Sequence, residues 1–395
     1  MYLLTKPFSF LMRPVLFIGI ILLVAHPSFG ETNENIPHVK LNPMGISSSV
    51  ECGKCHKDIY AGWKHCLHAQ SVENPIFQTA FLQAHFKVGE AAREICLTCH
   101  APIAYLNGDF KLAKPVTREG INCDYCHTIS MRNPENPYSR YHHEFGLMKQ
   151  GSLKNVKSPV HETRFNPLYK KSGICAGCHE FESPSGMKII ETFSEWQKSP
   201  YPAKGVHCQN CHMRKVTGKP VAEEIMKTAG KEINSHDISA GHALSLRKKS
   251  LALNIIDVSI NRQKVVVTVE IKNQGSGHKI PTGLPTKKII LQVAIKSGNG
   301  EVAHIQQKVY QKLIADREGK VVGNLVDLML EKNLKILSDN RIRPKETRRE
   351  QFTFFVPEIA GKRVTAEVYF SHTPEVIQPS RIHIKMNEVT KLLEK

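Results

Sequence analysis

The feature that most constrains this chain is the pattern Cys-x-x-Cys-His, which occurs five times between residues 52 and 212. The copies begin at Cys52, Cys96, Cys123, Cys175 and Cys208, their second cysteines are Cys55, Cys99, Cys126, Cys178 and Cys211, and they end at His56, His100, His127, His179 and His212. Ten of the eleven cysteines lie in these motifs. In this signature two thiols bond to the vinyl groups of haem c, and the histidine becomes the proximal iron ligand. The pattern therefore predicts five covalently bound haems.

Two other uses of paired cysteines fit the pattern less well. Zinc ribbons take such pairs two at a time, so five pairs would leave one without a partner. A disulfide framework needs no histidine after the second cysteine, and composition would place one there about one time in twenty per site. Five such coincidences are negligible, and we therefore favour haem attachment.

The first 30 residues have the pattern of a secretory signal peptide. Lys6 and Arg13 precede an apolar run from Val15 to Ala25, and small residues suited to cleavage follow it. The apolar run is too short to span a bilayer comfortably, so cleavage is favoured over a retained anchor. The sequence thus predicts an exported protein of the periplasm or the extracellular space.

The formal charge of the chain is +18, and removal of Lys6 and Arg13 with the signal leaves +16. Five haems would add ten propionates, each carrying roughly one negative charge, so the holoprotein is expected to be moderately basic. For an exported haem protein this charge favours redox partners that are acidic or membrane-associated over nucleic acid. Self-association is a further possibility.

Residues 49–246 are predicted to form a pentahaem cytochrome domain, mainly α with much irregular structure, after a leader over 31–48. Helical patterns cover residues 58–71, 76–87 and 90–97. Prolines from Pro102 to Pro202 then interrupt the chain repeatedly. Such a sequence is expected if haems replace side chains as the core, with the polypeptide wrapped around them.

Residues 247–375 are predicted to form an all-β domain. Strand patterns cover residues 251–259, 264–272, 287–296, 302–313, 350–356 and 363–371. Their number and punctuation suggest an Ig-like sandwich of roughly seven strands. The run from Asn324 to Leu337 is predicted as a helix inserted between strands, and residues 376–395 as a C-terminal tail.

What fills the sixth position of each iron decides between an electron carrier and an enzyme. A second histidine saturates the iron, whereas an open position permits chemistry on a small molecule. The candidate distal ligands are His68, His161, His236 and His278, with His143 chosen for the fifth haem over its competitors His85, His142 and His242. The remaining cysteine, Cys66, is expected to be a small buried residue beside a haem rather than a reactive thiol.

Over residues 49–246 the sequence resembles multihaem cytochromes of the cytochrome c-554 type. The shared patterns are CxxCH-x3-Y-x2-W-x4-H from Cys52, EGxxCDxCH from Glu119, CAxCHE from Cys175 and CQxCHM from Cys208. The loop from Asn273 to Gly283 is similar to a segment of larger exported multihaem cytochromes that carry a β-domain. The resemblance implies closely stacked haems, mostly with two histidine ligands, that pass electrons in respiration. This chain departs from the tetrahaem family pattern by its fifth motif and its C-terminal domain.

Two functions from different classes follow. The favoured one is electron transfer between redox partners in anaerobic, nitrogen or metal respiration, because short segments separate the second motif from the third and the fourth from the fifth. The alternative is an oxidoreductase that acts on a small nitrogen or sulfur compound at one five-coordinate haem. No catalytic side chain is assigned from the sequence.

Overall fold

The computed structural model describes residues 36–136, 139–183, 185–228, 231–238, 243–373 and 382–394. The predicted signal peptide over residues 1–30 lies outside the described residues. Within the described ranges, the helices are all too short or too polar to cross a bilayer.

The haem-motif region consists of short helices joined by irregular chain. Its helices are α1 (Ser49–Gly53), α2 (Lys57–Trp63), α3 (Pro75–Val88), α4 (Thr98–His100), α5 (Pro102–Asn107), α6 (Cys123–His127), α7 (Gly173–His179), α8 (Thr192–Gln197) and α9 (Cys208–His212). A further helix, α10 (Leu244–Ser250), begins the C-terminal half of the chain. A π-helical turn covers Arg93–Leu97, and 3-10 turns cover Pro115–Arg118, Pro167–Lys170 and Pro202–Lys204. The prediction of a mainly helical, irregular domain is confirmed for this region.

Helix α3 is the longest of these helices because both of its ends are well specified. The side chain of Asn74 accepts hydrogen bonds from the backbone N–H groups of Ile76 and Phe77 at 3.0 and 3.2 Å. Pro75 occupies the first helical position, where its missing N–H costs nothing. Gly89, at φ 60°, ends the helix. The helix predicted over 58–71 is shorter in the structure and ends at Trp63.

Four small two-stranded sheets connect the motif helices. They pair β1 (Ile129–Arg132) with β2 (Tyr141–His143), β3 (Met148–Gly151) with β4 (Glu162–Phe165), β5 (Phe181–Glu182) with β6 (Lys188–Ile190), and β7 (Lys215–Thr217) with β8 (Glu232–Asn234). The β3–β4 pair is parallel and the others are antiparallel. These pairs bring His143, His161 and His236 close to the motif helices.

The C-terminal half contains two antiparallel sheets. Its elements are β9 (Leu251–Asn261), β10 (Lys264–Asn273), β11 (Lys287–Lys296), β12 (Val302–Tyr310), β13 (Lys312–Ala315), α11 (Leu325–Leu330), β14 (Lys335–Asp339), β15 (Thr347–Phe355), β16 (Arg363–His372) and β17 (Ile382–Leu392). One sheet has the order β15-β10-β9 and the other the order β12-β11-β16-β17. Strands β13 and β14 form a separate pair.

One apolar core lies between these two sheets. Alternate residues of β10, such as Val265 and Val267, are fully buried, and so are Leu291 of β11 and Val368 of β16. In β10 the alternation follows from burial of one face, whereas β11 and β16 are buried on both faces over much of their length, and β11 has a near-continuous apolar run. The predicted strand positions are confirmed.

The end of the chain differs from the expectation of a tail. Strand β17 pairs along its length with β16, from Arg363 opposite Leu392 to His372 opposite Ile382. Met386 of β17 is buried in the core. The β-region therefore extends to Leu392.

The helix predicted over Asn324–Leu337 is confirmed only as the shorter α11, since its second half forms strand β14. Val326 packs against Ala84 and Ala92 near α3. Leu328 packs against Ile189 of β6. The insertion therefore joins the β-region to the haem-motif region.

Candidate haem centres

Four of the five motif histidines face a second histidine. The ring centroids are 6.2 Å apart for His56 and His161, 6.2 Å for His68 and His179, 6.4 Å for His127 and His236, and 6.4 Å for His212 and His278. In each pair one member ends a Cys-x-x-Cys-His motif and the other is one of the four distal candidates selected from the sequence.

This spacing fits an iron atom between the two rings. A metal–imidazole bond of about 2.0 Å, added to roughly 1.1 Å from the ring nitrogen to the ring centre, gives about 6.2 Å between the centres of two opposed rings. Rings that packed directly on each other would lie closer, as Phe77 and His100 do at 4.3 Å. The gap between the paired histidines therefore has the size of a shared metal ion.

Hydrogen bonds orient several of these rings so that Nε2 is left for the metal. A backbone carbonyl accepts from Nδ1 of His56 (Pro220, 2.5 Å), His127 (Gln150, 2.7 Å), His161 (Glu162, 3.0 Å), His236 (Asn234, 2.9 Å) and His278 (Lys279, 2.9 Å). Metal-ligating histidines typically donate their second N–H in this way, which fixes the tautomer and the ring orientation.

Burial keeps the imidazoles of His212, His236 and His179 neutral, which is the form that binds a metal. It lowers the pKa of His212 to about 4, with a smaller contribution from His278. Burial likewise lowers the pKa of His236 to about 4, with His127 adding to the shift. For His179 burial is again the main cause, and the neighbouring His68 helps to lower the pKa to about 3.

The second motif is different. Its histidine, His100, stacks on the ring of Phe77 with an interplanar angle of 13°. The predicted fifth distal ligand, His143, lies instead against Tyr125 at 4.8 Å and Phe145 at 5.1 Å. Its Nδ1 lies 3.0 Å from the hydroxyl oxygen of Thr128. Within the described ranges, no imidazole faces His100 at the spacing of the four pairs, and the structure does not bring His143 to it.

Among the competitors of His143 for the fifth haem, His242 lies outside the described residues.

The remaining cysteine, Cys66, is fully buried close to Cys126, in agreement with a packing role.

The motif thiols also meet one another across motifs. Cys52 is in hydrogen-bonding contact with Cys123, Cys99 with Cys178, and Cys175 with Cys208. These contacts join the first motif to the third, the second to the fourth, and the fourth to the fifth. Sequence spacing predicted proximity for the last of these pairs, but not for the first two.

Comparison with known proteins agrees with these centres. Residues 51–128 match the family model of cytochrome c554 and c-prime. No curated protein sequence matches the chain significantly. Among solved structures, a penta-heme cytochrome c552 from Thermochromatium tepidum is similar, with a TM-score of 0.68 and 23% identity over 89% of this chain and 100% of that one.

Two further structural matches cover about a third of the chain. A β-galactosidase from Bacteroides fragilis gives a TM-score of 0.18 with 11% identity over 36% of this chain and 15% of that one. A β-glucosidase from Kluyveromyces marxianus gives 0.15 with 14% identity over the same shares.

The motif helices, the opposed imidazoles and the family match together define a c-type haem protein. More narrowly, residues 51–128 are similar to the cytochrome c554 and c-prime family, and the chain has the fold of a pentahaem cytochrome.

Proposed function

We propose that this chain is an exported pentahaem cytochrome that transfers electrons between redox partners. The observation that carries the proposal is the set of four opposed histidine pairs at 6.2–6.4 Å. Two histidine ligands saturate an iron, which suits electron transfer rather than substrate binding. Haem c supplies the one-electron chemistry once it is attached.

We number each haem by its motif and assign its ligands from the pairs. Haem 1 takes His56 and His161, haem 3 takes His127 and His236, haem 4 takes His179 and His68, and haem 5 takes His212 and His278. Haem 2 takes His100 as its proximal ligand. The β-region would thereby supply His278 as one of the two histidines that hold haem 5.

The thiol contacts support a connected path through the protein. They bring together the attachment points of haems 1 and 3, haems 2 and 4, and haems 4 and 5. Cys126 and Cys178 are close enough to interact electrostatically, which links haem 3 to haem 4. All five attachment points thus form one network, with haem 4 next to three others.

We further propose that the β-region is an Ig-like sandwich and that the protein works outside the cytoplasm in respiration. Two stacked antiparallel sheets with one shared core support the first point. Haem c attachment and the signal-like N-terminus support the second. The basic charge favours acidic or membrane-associated redox partners.

One observation favours the second candidate function, an oxidoreductase for a small nitrogen or sulfur compound. His100 faces Phe77, and among the described residues no second imidazole is placed to bind the iron of haem 2. An iron with one open position permits small-molecule chemistry. Haem 2 is therefore the centre at which this activity would occur.

Haem quantification and EPR of the oxidised holoprotein test both proposals. We expect five haems per chain, with low-spin ferric signals from haems 1, 3, 4 and 5. Fewer haems, or the absence of low-spin signals typical of two histidine ligands, would contradict the carrier. A high-spin signal that nitric oxide or cyanide abolishes supports the oxidoreductase, whereas exclusively low-spin signals remove it.

A further inference from the structure

We infer that Glu195 and Arg341 are positioning residues that hold His278 against the iron of haem 5. The inference rests on the proposed ligation of haem 5 by His212 and His278. Glu195 belongs to α8, which follows the fourth motif, whereas Arg341 and His278 belong to the β-region. The side chains of Glu195 and Arg341 are each only 3% exposed.

Glu195 binds the His278 loop directly. Its Oε2 accepts hydrogen bonds from the backbone N–H of Lys279 at 3.2 Å and from the hydroxyl of Thr282 at 2.7 Å. The carbonyl of Lys279 in turn accepts the Nδ1 hydrogen bond of His278 at 2.9 Å. The backbone of one residue, Lys279, therefore connects the carboxylate of Glu195 to the imidazole ring of His278.

Arg341 holds Glu195 and the loop from the other side. Its Nη1 donates to Oε1 of Glu195 at 2.6 Å, and its Nε and Nη2 each donate to Asp339 at 2.8 Å. Asp339 also accepts from Nζ of Lys279 at 2.7 Å. Lys279 is thus fixed at both its backbone and its side chain.

Further contacts between α8 and the β-region stabilise this arrangement. Glu191 accepts from Nζ of Lys312 at 2.6 Å and from Arg341 at 3.3 Å, so three acidic and three basic side chains balance in charge. Ring atom Cδ1 of Trp196 lies 3.3 Å from the point where a Cβ on Gly277 would stand, so the loop packs closely on α8.

Removal of one member of such a buried network leaves the other charges unpaired. The loop would then shift to regain partners, and His278 would shift with it. A ligand displaced by even a fraction of an ångström no longer reaches the iron well, because metal–nitrogen distances are fixed to about 0.2 Å.

The test compares Glu195→Gln with wild type in the full-length holoprotein. Gln keeps the size of the side chain but offers only one acceptor oxygen, so it cannot serve both Arg341 and the loop. We expect up to one additional high-spin haem per chain by EPR or magnetic circular dichroism, at unchanged haem content. Added imidazole should restore the low-spin signal. His278→Ala should give one full additional high-spin haem.

Lys87→Ala is the matched control. Lys87 also bridges the two regions, through Asp327 at 2.7 Å and Glu331 at 2.6 Å, but these side chains are about 40% exposed and hold no ligand loop. We expect its spin state to equal that of wild type. If the Glu195→Gln protein matures poorly, Thr282→Val provides a second variant. It removes one hydrogen-bond donor to Glu195, so we expect a high-spin fraction smaller than that expected for Glu195→Gln.

The outcomes distinguish the positioning role of Glu195 from the ligation of haem 5 by His278. A Glu195→Gln protein with a lowered melting temperature but a wild-type spin state, or a Thr282→Val protein with a wild-type spin state, overturns the positioning role while the ligation stands. An unchanged spin state in His278→Ala contradicts the ligation of haem 5 itself.

Discussion

Residues 49–238 and residues 243–394 bury their apolar side chains in different ways. The β-region has one continuous core that draws on all seven strands of its two large sheets. The haem-motif region has several small, separate clusters, for example the one around Val72, Phe77 and Leu97. It also places its buried imidazoles in pairs with a gap between them. The β-region thus forms its core from polypeptide alone, whereas the haem-motif region is expected to need its cofactors to fill its interior.

The difference shows how the two regions depend on each other. The haem-motif region gains rigidity when iron bonds join distant segments, as His68 and His179 would be joined. The β-region offers a preformed surface that carries His278 and the buried junction around Glu195. We therefore expect the β-region to form first and to complete the centre of haem 5.

The largest expected effect comes from withholding haem. If the chain is produced without haem attachment, residues 49–238 should exchange their backbone amides rapidly, since the cofactors that join them are missing. Strands such as β10 and β11 should stay protected, because their core needs no ligand. Hydrogen exchange followed by mass spectrometry measures both. Equal protection of the two regions would show that the comparison is wrong.

A core substitution in the β-region should have the next largest effect. Leu291 is fully buried on β11, and Leu291→Ala is expected to destabilise this region by about 2–5 kcal/mol. The melting temperature of this region, measured by circular dichroism, should fall. The low-spin signal of haem 5 should disappear in the same transition, while those of haems 1, 3 and 4 persist.

Ile305→Ala provides the control for this experiment. Ile305 lies on the edge strand β12 and is 50% exposed, so its loss should change stability by only about 0.5 kcal/mol or less. Simultaneous loss of all low-spin signals in Leu291→Ala would mean that the two regions unfold as one unit.

A smaller effect is expected at a single haem from Gly120→Ala. Gly120 has φ +63°, and a Cβ there would lie 2.3 Å from the carbonyl oxygen of His68. The next N–H, of Ile121, donates to that same oxygen at 3.0 Å. The methyl group should therefore push His68 away from haem 4 and raise the high-spin fraction by up to one haem.

Gly108→Ala separates this displacement from backbone strain. Gly108 has a similar φ of +69° but no neighbouring atom within 4 Å of a Cβ. Both variants carry a left-handed strain of about 1–2 kcal/mol. If the two variants show the same spin state, the contact with His68 has no bearing on ligation.

Much of this architecture could be predicted from sequence. The motifs locate the proximal histidines, and the strand alternation locates the large sheets. The four principal distal candidates each lie opposite a motif histidine in the structure. The motif histidine that each candidate faces could not be predicted, however. His68 follows the first motif closely yet faces His179 of the fourth, because the path of the chain decides which segments meet.

Other features carried weaker signals. Strand β17 alternates Ile382, Ile384 and Met386 with polar residues, a pattern that could have identified it. No sequence pattern separated His143 from its competitors, because a position in the chain does not fix where a side chain points. The pairing of Glu195 with Arg341 joins positions far apart in the chain, and no local pattern marks it.

The central claim is that an iron atom lies between the histidines of each pair, including the pair that joins the two regions. An anomalous difference map, recorded at the iron absorption edge from crystals of the holoprotein, tests it directly. The account predicts five peaks, four of them midway between the paired rings at about 2.0 Å from each Nε2. A map with no peak between His212 and His278, or with another side chain opposite His212, would contradict it.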